Sequence, residues 1–554
     1  MDEERLLSYH RFTREHGVNR LLYVLVRLIL QPAFLLYFRL SRFGREHGRI
    51  RGPLIVAANH RSFLDPFVIG ASLPWRRPLH YVAKVELFER RWQGWILSRL
   101  GAYPVRRGQS DSETLITSHQ VLKRGGAVCI FAEGTRIRTG SLARPRRGFG
   151  RLALETGAAV LPVAVHGTDR CRRGWRIYPR KVKVRFGRAL TFPRTESPSP
   201  TLANSVGARV WPVIVLQWEW LGGLPPLRKA AVIGAGSWGT AMAVLLARGG
   251  LEVQLGCRTS KQAEELGESR SNELYLPGVP LPDGLTVKRA SEIELAGMDL
   301  VCLGVPSKSL PAAVGSIGDR VAQRSAVLVL SKGMVSPMGA LPSDYVADRV
   351  RTRSVACLGG PAHAKEAVSG TAALVLGSYD ADLRSQLGEV FDEAGLVCER
   401  TGDVVGVEMA GAAKNAAALA AATAEPHGLN AAGIAAAEVW RECLDYALSR
   451  GARQETFSGL AGVGDLTATV MAPGSRNRRA GELLGQGTPA EQIPGLIGQA
   501  SEGLDTVPLI AETVIAAGMD APGLAGLSDL IGGLISTGEW MARVRRAERA
   551  RRAA

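Results

Sequence analysis

Short apolar runs punctuate the chain, and what lies between them changes from one region to the next. Over residues 50–190 the runs PLIVAANH, GGAVCIFAEGTR, AAVLPVAVHGT and KVKVRFG alternate with stretches of helical character. Strands interleaved with helices predict an α/β layer, with working residues at the carboxyl ends of the strands. TFPRTESPSP is rich in Pro and Ser and predicts a loop. LANSVGARVWPVIVLQWEWLGG predicts a closing helix, and GGLPPL (Gly222–Leu227) a boundary. From Lys229 the pattern restarts with KAAVIGAG, VQLGC, LVCLGVP, AVLVLSKG, VACLGGP and AALVLGS, runs suited to a buried parallel sheet. After about residue 400 the strands stop and Ala-rich sequence such as AGAAKNAAALAAATA predicts an all-helical domain. The expected divisions are 1–49, 50–200, 201–228, 229–400 and 401–554.

The most apolar segment, Leu21–Leu40, is about one bilayer long but contains Arg27 and Arg39 and is interrupted by Pro32. A mid-bilayer arginine costs about 2.5–3.5 kcal/mol on insertion scales. The segment is therefore read as two short interfacial helices within region 1–49, a buried core helix being the alternative. Charge separates the halves. Residues 1–228 hold 39 Lys and Arg against 15 Asp and Glu, a net +24. The remainder holds 30 against 36, a net −6, for +18 overall. Basic residues scattered among aromatic and apolar runs, without a nucleic-acid motif, point to an anionic membrane surface rather than nucleic acid. Seven cysteines without a C-x-x-C pair suggest a reducing cytosol and no metal cluster, and MDEERLLSYH does not read as a secretory signal.

Candidate chemistry begins at NHRSFLDP (Asn59–Pro66), which places His60 five residues before Asp65. Acyl transfer to a hydroxyl needs a base, and a carboxylate that fixes the imidazole tautomer makes histidine suitable. Alone, this spacing reads equally as a helix start. GAYPVRRG adds Arg106 and Arg107, and FAEGTRIR adds Glu133, Gly134, Thr135 and Arg136, while LPVAVHGT closes the set. Arginines at strand ends suit a phosphate. Together with YVAKVELF, these blocks resemble the glycerolipid acyltransferases, specifically the 1-acylglycerol-3-phosphate acyltransferases, over roughly residues 50–190. The resemblance implies His60 as general base, Asp65 as its orienter, and Arg106, Glu133, Gly134, Thr135 and Arg136 around the phosphorylated acceptor. Ala132 departs from it, standing where the family usually has proline.

VIGAGSWGTAMA (Val232–Ala243) carries G-x-G-x-x-G as Gly234, Gly236 and Gly239, after a predicted strand and before a predicted helix. That context favours a dinucleotide whose pyrophosphate sits on the helix N-terminus. The next strand ends in Arg258 rather than an acid, which favours NADPH over NADH. LSKGM, GGPAHAKE, AGAAKN, GVGDL, SRNRR and QASEG follow in order, and this half resembles bacterial-type NAD(P)-dependent glycerol-3-phosphate dehydrogenase from Lys229 to about residue 510. The resemblance implies a Rossmann domain and a helical domain of the 6-phosphogluconate-dehydrogenase type. It makes Lys414 the catalytic acid/base. It places Lys332, Gly360, Ala362 and Asp465 at the substrate and Ser475, Arg476 and Asn477 at its phosphate. Ser237, Trp238, Arg258, Lys332, Ala364, Arg476, Ala500 and Glu502 would line the cofactor. Ala362 and His363 stand where the family often has Thr and Phe.

The two resemblances imply a bifunctional enzyme of phospholipid synthesis. One half reduces dihydroxyacetone phosphate. The other acylates 1-acylglycerol 3-phosphate (lysophosphatidate) from acyl-CoA or acyl carrier protein. The expected setting is cytoplasmic and peripheral on the inner face of the cell membrane, with a homodimer through the dehydrogenase half. An N-terminal half that only docks the dehydrogenase on lipid, or that acylates glycerol 3-phosphate itself, is the alternative. A hydroxyacid dehydrogenase is another reading of the second half, since the fold does not dictate the substrate.

Overall fold

The computed structural model describes residues 3–106, 112–143, 145–337, 339–472, 474–498 and 501–553. The chain forms two compact units, Met1–Pro226 and Leu227–Ala554.

The first unit is built on a seven-stranded sheet. Its order is Ser41–Phe43, Lys183–Phe186, Ala159–His166, Leu54–Ala58, Ala127–Phe131, Leu79–Lys84 and Ala102–Val105. Leu54–Ala58 lies parallel to both neighbours, and only the Ala159–His166/Lys183–Phe186 pairing is antiparallel. Alternation along Leu54–Ala58 feeds two cores. Leu54, Val56 and Ala58 point into one, Ile55 and Ala57 into the other. Both faces are thus covered, as an apolar parallel strand requires. Helix Pro200–Trp220 closes one face, starting at Ser199, whose hydroxyl accepts from the Leu202 N–H.

At the N-terminus two helices, Glu3–His16 and Arg20–Leu36, meet at 96°. The break falls at residues 17–19, not at Pro32, which sits inside the second helix. Pro32 removes one N–H but lies near the helix end, so the helix runs one further turn. Among the described residues no single helix is long and apolar enough to cross a membrane. The Arg20–Leu36 helix turns Leu21, Leu25, Leu28 and Ile29 outward, Leu21 at 73% and Ile29 at 72% exposure. Arg27 points the other way and is buried.

The second unit holds an eight-stranded sheet. Its order is Leu285–Arg289, Glu252–Cys257, Lys229–Ile233, Leu300–Leu303, Ala326–Val329, Ser354–Gly359, Ala373–Gly377 and Val397–Thr401. The first six reproduce the 3-2-1-4-5-6 order of doubly wound dinucleotide folds. The expectation of a wholly parallel sheet fails at one place: Ser354–Gly359 and Ala373–Gly377 pair antiparallel. The connection between them, residues 360–372, carries only the short helix Ala364–Ser369. Beyond Val397–Thr401 the described chain is helical, around the 21-residue helix Val404–Ala424. Its run of alanines lets Leu429–Ser449 and Arg476–Gly485 pack closely against it.

Candidate active sites

In the first unit the strand Leu54–Ala58 delivers His60, and the helix Asp65–Ser72 begins at its partner. His60 Nδ1 lies 2.9 Å from Asp65 Oδ2. A carboxylate accepts there, so the proton belongs on Nδ1 and the Nε2 lone pair is left to act as a base. The same Oδ2 accepts from the N–H groups of Arg61 and Ser62, both at 2.7 Å. The opposite oxygen, Oδ1, accepts from Thr168 Oγ1 at 2.5 Å. Asp65 is fully buried with four donors around it. The His60 ring stacks on Phe131, centroids 3.9 Å apart.

His60, Phe131 and the exposed Arg136 line a cavity of about 530 Å³ that continues between Phe67, Tyr81, Leu97 and Leu30. Its wall is mostly apolar carbon, as a site for an alkyl chain requires. Arg106, half-buried, stands at the end of strand Ala102–Val105, and Thr135 is exposed after Gly134, whose φ is +70°. Arg107 lies outside the described residues. Glu133 takes a different part from the substrate contact expected of it. It is buried, and its two oxygens accept from the N–H groups of His60 at 2.6 Å and Ala143 at 3.0 Å. Burial pushes its pKa up to about 7. A carboxylate so engaged positions the His60 backbone, and it would repel a phosphate. Ala132 donates its N–H to Ala58 at 2.9 Å, a ladder bond that proline could not make.

In the second unit the glycine turn is sterically enforced. Gly234 has φ +112°, and a Cβ there would lie 2.6 Å from the Gly304 carbonyl oxygen. A Cβ on Gly239 would lie 1.9 Å from the Gly234 carbonyl oxygen. Gly236, the N-cap of helix Ser237–Arg248, has nothing within 4 Å of its would-be Cβ, leaving open space where a pyrophosphate would approach. These features fit a dinucleotide. Ser237 and Trp238 open the helix, and Arg258 lies exposed at the end of strand Glu252–Cys257. Ala362 and Ala364 flank the start of Ala364–Ser369. Ala500 lies outside the described residues.

Lys414, mid-way along Val404–Ala424, is buried and donates to Thr469 Oγ1 at 3.0 Å. Its Nζ is 3.4 Å from Asp465 Oδ1. Lys332 Nζ donates to Asp465 Oδ2 at 2.7 Å and to the Gly360 carbonyl at 3.1 Å. Burial lowers the Lys414 pKa and Asp465 opposes this, while Lys332 adds to the lowering. For Asp465 burial works upward, but Lys332 and Lys414 outweigh it and bring the carboxyl below its usual range. Asp465 itself is presented by a π-helical turn, Leu460–Gly464, a device frequent at functional sites.

Models of the NAD-dependent glycerol-3-phosphate dehydrogenase N-terminus and C-terminus match residues 229–383 and 403–541. The chain is 31% identical over 306 residues to glycerol-3-phosphate dehydrogenase [NAD(P)+] of Chelativorans sp. (strain BNC1), covering 55% of this chain and 92% of that one. The chain belongs to the glycerol-3-phosphate dehydrogenase family. The Corynebacterium kroppenstedtii enzyme of that name is 36% identical over 298 residues, 53% of this chain and 90% of its own. The crystal structure of glycerol-3-phosphate dehydrogenase from Coxiella burnetii, 27% identical, aligns over 57% of this chain and 98% of its own with a TM-score of 0.54. Ahead of this dehydrogenase, residues 41–166 match the model of an acyltransferase. The chain is an enzyme whose dehydrogenase uses a nicotinamide cofactor.

Around the dehydrogenase lysines Asn415, to which the sequence assigned no role, meets residues expected at the substrate and cofactor. Asn415 donates to the Lys332 carbonyl at 2.7 Å and accepts from Asn477 at 2.7 Å. Asn477 in turn accepts from Ser501 Oγ at 2.8 Å and from the Gly503 N–H at 3.0 Å. Asn477 thus holds neighbouring elements in register instead of standing free for a phosphate. Ser475 is the N-cap of Arg476–Gly485, accepting from the Arg478 N–H, so this helix presents its N-terminus beside Arg476. Glu502 starts the helix Glu502–Ala516, and burial raises its pKa against the pull of Arg476 and Lys414. Asn415 lies within the AGAAKN motif, whereas Thr168 and Thr469 carried no signal: a lone threonine near a strand end or within a helix is unremarkable until its partner is placed.

Proposed function

We propose that the chain couples two steps of glycerophospholipid synthesis. The dehydrogenase half reduces dihydroxyacetone phosphate to sn-glycerol 3-phosphate. The acyltransferase half moves an acyl group from acyl-CoA or acyl carrier protein to 1-acylglycerol 3-phosphate, giving phosphatidic acid. The observation that carries the reading is that His60, oriented by a fully engaged Asp65, opens onto an apolar cavity large enough for an alkyl chain. His60 Nε2 takes the acceptor's hydroxyl proton as its oxygen attacks the thioester carbonyl, and the thiol leaves. Arg136 and Arg106 suit the acceptor's phosphate.

In the second half Gly234, Gly236, Gly239 and the N-terminus of Ser237–Arg248 would hold the cofactor, which supplies a hydride to C2. Lys414 delivers the proton to the developing alkoxide, and a lowered pKa makes that proton easier to give. Lys332 and the N-terminus of Arg476–Gly485 suit the substrate's phosphate. NADPH is the favoured cofactor, supported by Arg258 at the strand end where an acid would select NADH. The outward apolar stripe of Arg20–Leu36 and the +24 charge of residues 1–228 support a peripheral seat on the inner face of the cell membrane. A homodimer through the dehydrogenase half rests on the family resemblance alone.

Purified chain incubated with labelled acyl-CoA and either 1-acylglycerol 3-phosphate or glycerol 3-phosphate tests the reading. Label in phosphatidic acid supports it. Label only in 1-acylglycerol 3-phosphate moves the acceptor one step earlier, and label in neither leaves a docking module.

A further inference from the structure

In the first unit a short hairpin follows the strand Ala159–His166. Its strands Arg172–Arg173 and Arg176–Ile177 pair antiparallel, and the loop between them is two residues, Gly174 and Trp175. Gly174 has φ +57°, which suits the first place of such a turn. The turn carries Trp175 outward at 82% exposure, with the Arg176 guanidinium 5.3 Å from its ring centre. Ile177 is exposed as well. Charge here has one sign. Residues 170–195 hold ten Lys and Arg and no Asp or Glu, and Arg172, Arg176, Arg180 and Lys181 are all exposed. Tryptophan is on average highly buried, and its amphipathic ring otherwise settles where an apolar phase meets water.

Two contacts tie the hairpin to the apolar stripe of the second helix. Tyr37 Oη donates to the Ile177 carbonyl at 3.0 Å, and Arg39 to the Pro179 carbonyl at 3.3 Å. Both donors lie just past Arg20–Leu36, whose last residue, Leu36, is 79% exposed. The other strand reaches the reacting site. Arg172 lies 5.2 Å from the ring centre of Phe63, which is exposed and forms part of the cavity wall beside His60. An acidic protein would satisfy the arginines but offer no apolar phase to Trp175, Ile177 and Leu36. A phospholipid surface offers phosphates and hydrocarbon together. We infer that the Arg172–Ile177 hairpin is a lipid anchor: Trp175 enters the headgroup layer of an anionic bilayer, and Arg172 and Arg176 meet its phosphates. This role rests on the peripheral membrane seat proposed above and adds to it the residues that grip the lipid. Seated so, the hairpin brings the Phe63 end of the cavity to the layer that holds a lipid acceptor.

The test is flotation of the full chain with vesicles of phosphatidylglycerol and phosphatidylcholine, and with vesicles of phosphatidylcholine alone. The native chain should prefer the anionic vesicles. Each arginine near such a surface contributes about fivefold, so the double exchange Arg172→Ala with Arg176→Ala should weaken binding about twenty-fivefold. Trp175→Ala should weaken it several-fold, and that loss should persist in high salt, which screens the arginines. Both exchanges touch only exposed side chains, so thermal melting and dehydrogenase turnover should match those of the native chain. Anionic vesicles that bind the native chain and both variants equally overturn the inference and leave the seat to Arg20–Leu36. Unchanged vesicle binding with weakened binding of acyl carrier protein also overturns it and makes the hairpin a protein-docking element. A native chain that binds neither kind of vesicle sinks the peripheral seat and the anchor together.

Discussion

His60 stands at the end of a strand and meets Asp65 at the start of the next helix, whereas Lys414 sits in mid-helix and meets Asp465 from a separate turn. The first pair is local, and its aspartate is held by two backbone N–H groups and a threonine. The second is assembled from distant segments, and its aspartate is shared between two lysines. On the proposed roles, the contrast follows from the proton each would handle. A neutral imidazole needs only a fixed tautomer, so one well-anchored carboxylate suffices. A buried ammonium must be kept charged yet ready to lose its proton, so an anion and a second cation act on it in opposite directions.

Several exchanges sharpen or break this comparison. The largest effect is expected from His60→Ala, which should cut acyl transfer by roughly 10²–10⁴ while NADPH oxidation with dihydroxyacetone phosphate stays within about twofold. Lys414→Ala should do the reverse. If either variant silences both reactions, the two sites are not independent. Next, Thr168→Val leaves Asp65 Oδ1 without its donor and should slow acyl transfer by about tenfold, the worth of one hydrogen bond to a charged group. Thr168→Ser should restore most of the rate. A valine variant with native kinetics would show that the backbone donors alone position the dyad. Arg258→Ala should raise KM for NADPH several-fold more than KM for NADH, and an equal rise would remove the basis for the proposed NADPH preference.

The smallest effect concerns pH. Glu408, one turn and a half before Lys414 on the same helix, accepts from the N–H and hydroxyl of Ser343, and burial pushes its pKa up to about 8. A raised carboxyl pKa means the folded chain holds the proton more tightly than the unfolded one. Its stabilisation is complete below the ordinary value of 4.5 and is lost as pH climbs through about 8. Thermal melting should therefore fall by about 3 °C or more between about pH 5 and about pH 8.5, and Glu408→Gln should flatten that slope. An unchanged slope would place the titration elsewhere.

The sequence carried much of this because the His60–Asp65 pair and the glycine turn each sit on one short contiguous motif. The spacing of His60 and Asp65, and of Gly234, Gly236 and Gly239, is set by a single strand-to-helix turn, so the pattern and the geometry are one thing. What escaped depended on contacts across the fold. The family resemblance implied Glu133 as a substrate ligand, yet its oxygens are spent on the backbone of His60 and Ala143. Arg27 read as an obstacle to membrane burial, but its head turns inward onto the end of Asp65–Ser72. The antiparallel Ala373–Gly377 strand has the same apolar run as its parallel neighbours, and nothing in that run sets its direction. Pro32 looked like a break, but near a helix end its missing donor costs little.

The crowding around Asp65 has a practical consequence. An asparagine in its place would have one obvious way to sit. Its oxygen would have to face the three nitrogens on the Oδ2 side, and its amide nitrogen would turn toward Thr168, whose hydroxyl can rotate to receive it. The imidazole would then keep its tilt and tautomer and lose only the negative charge behind it.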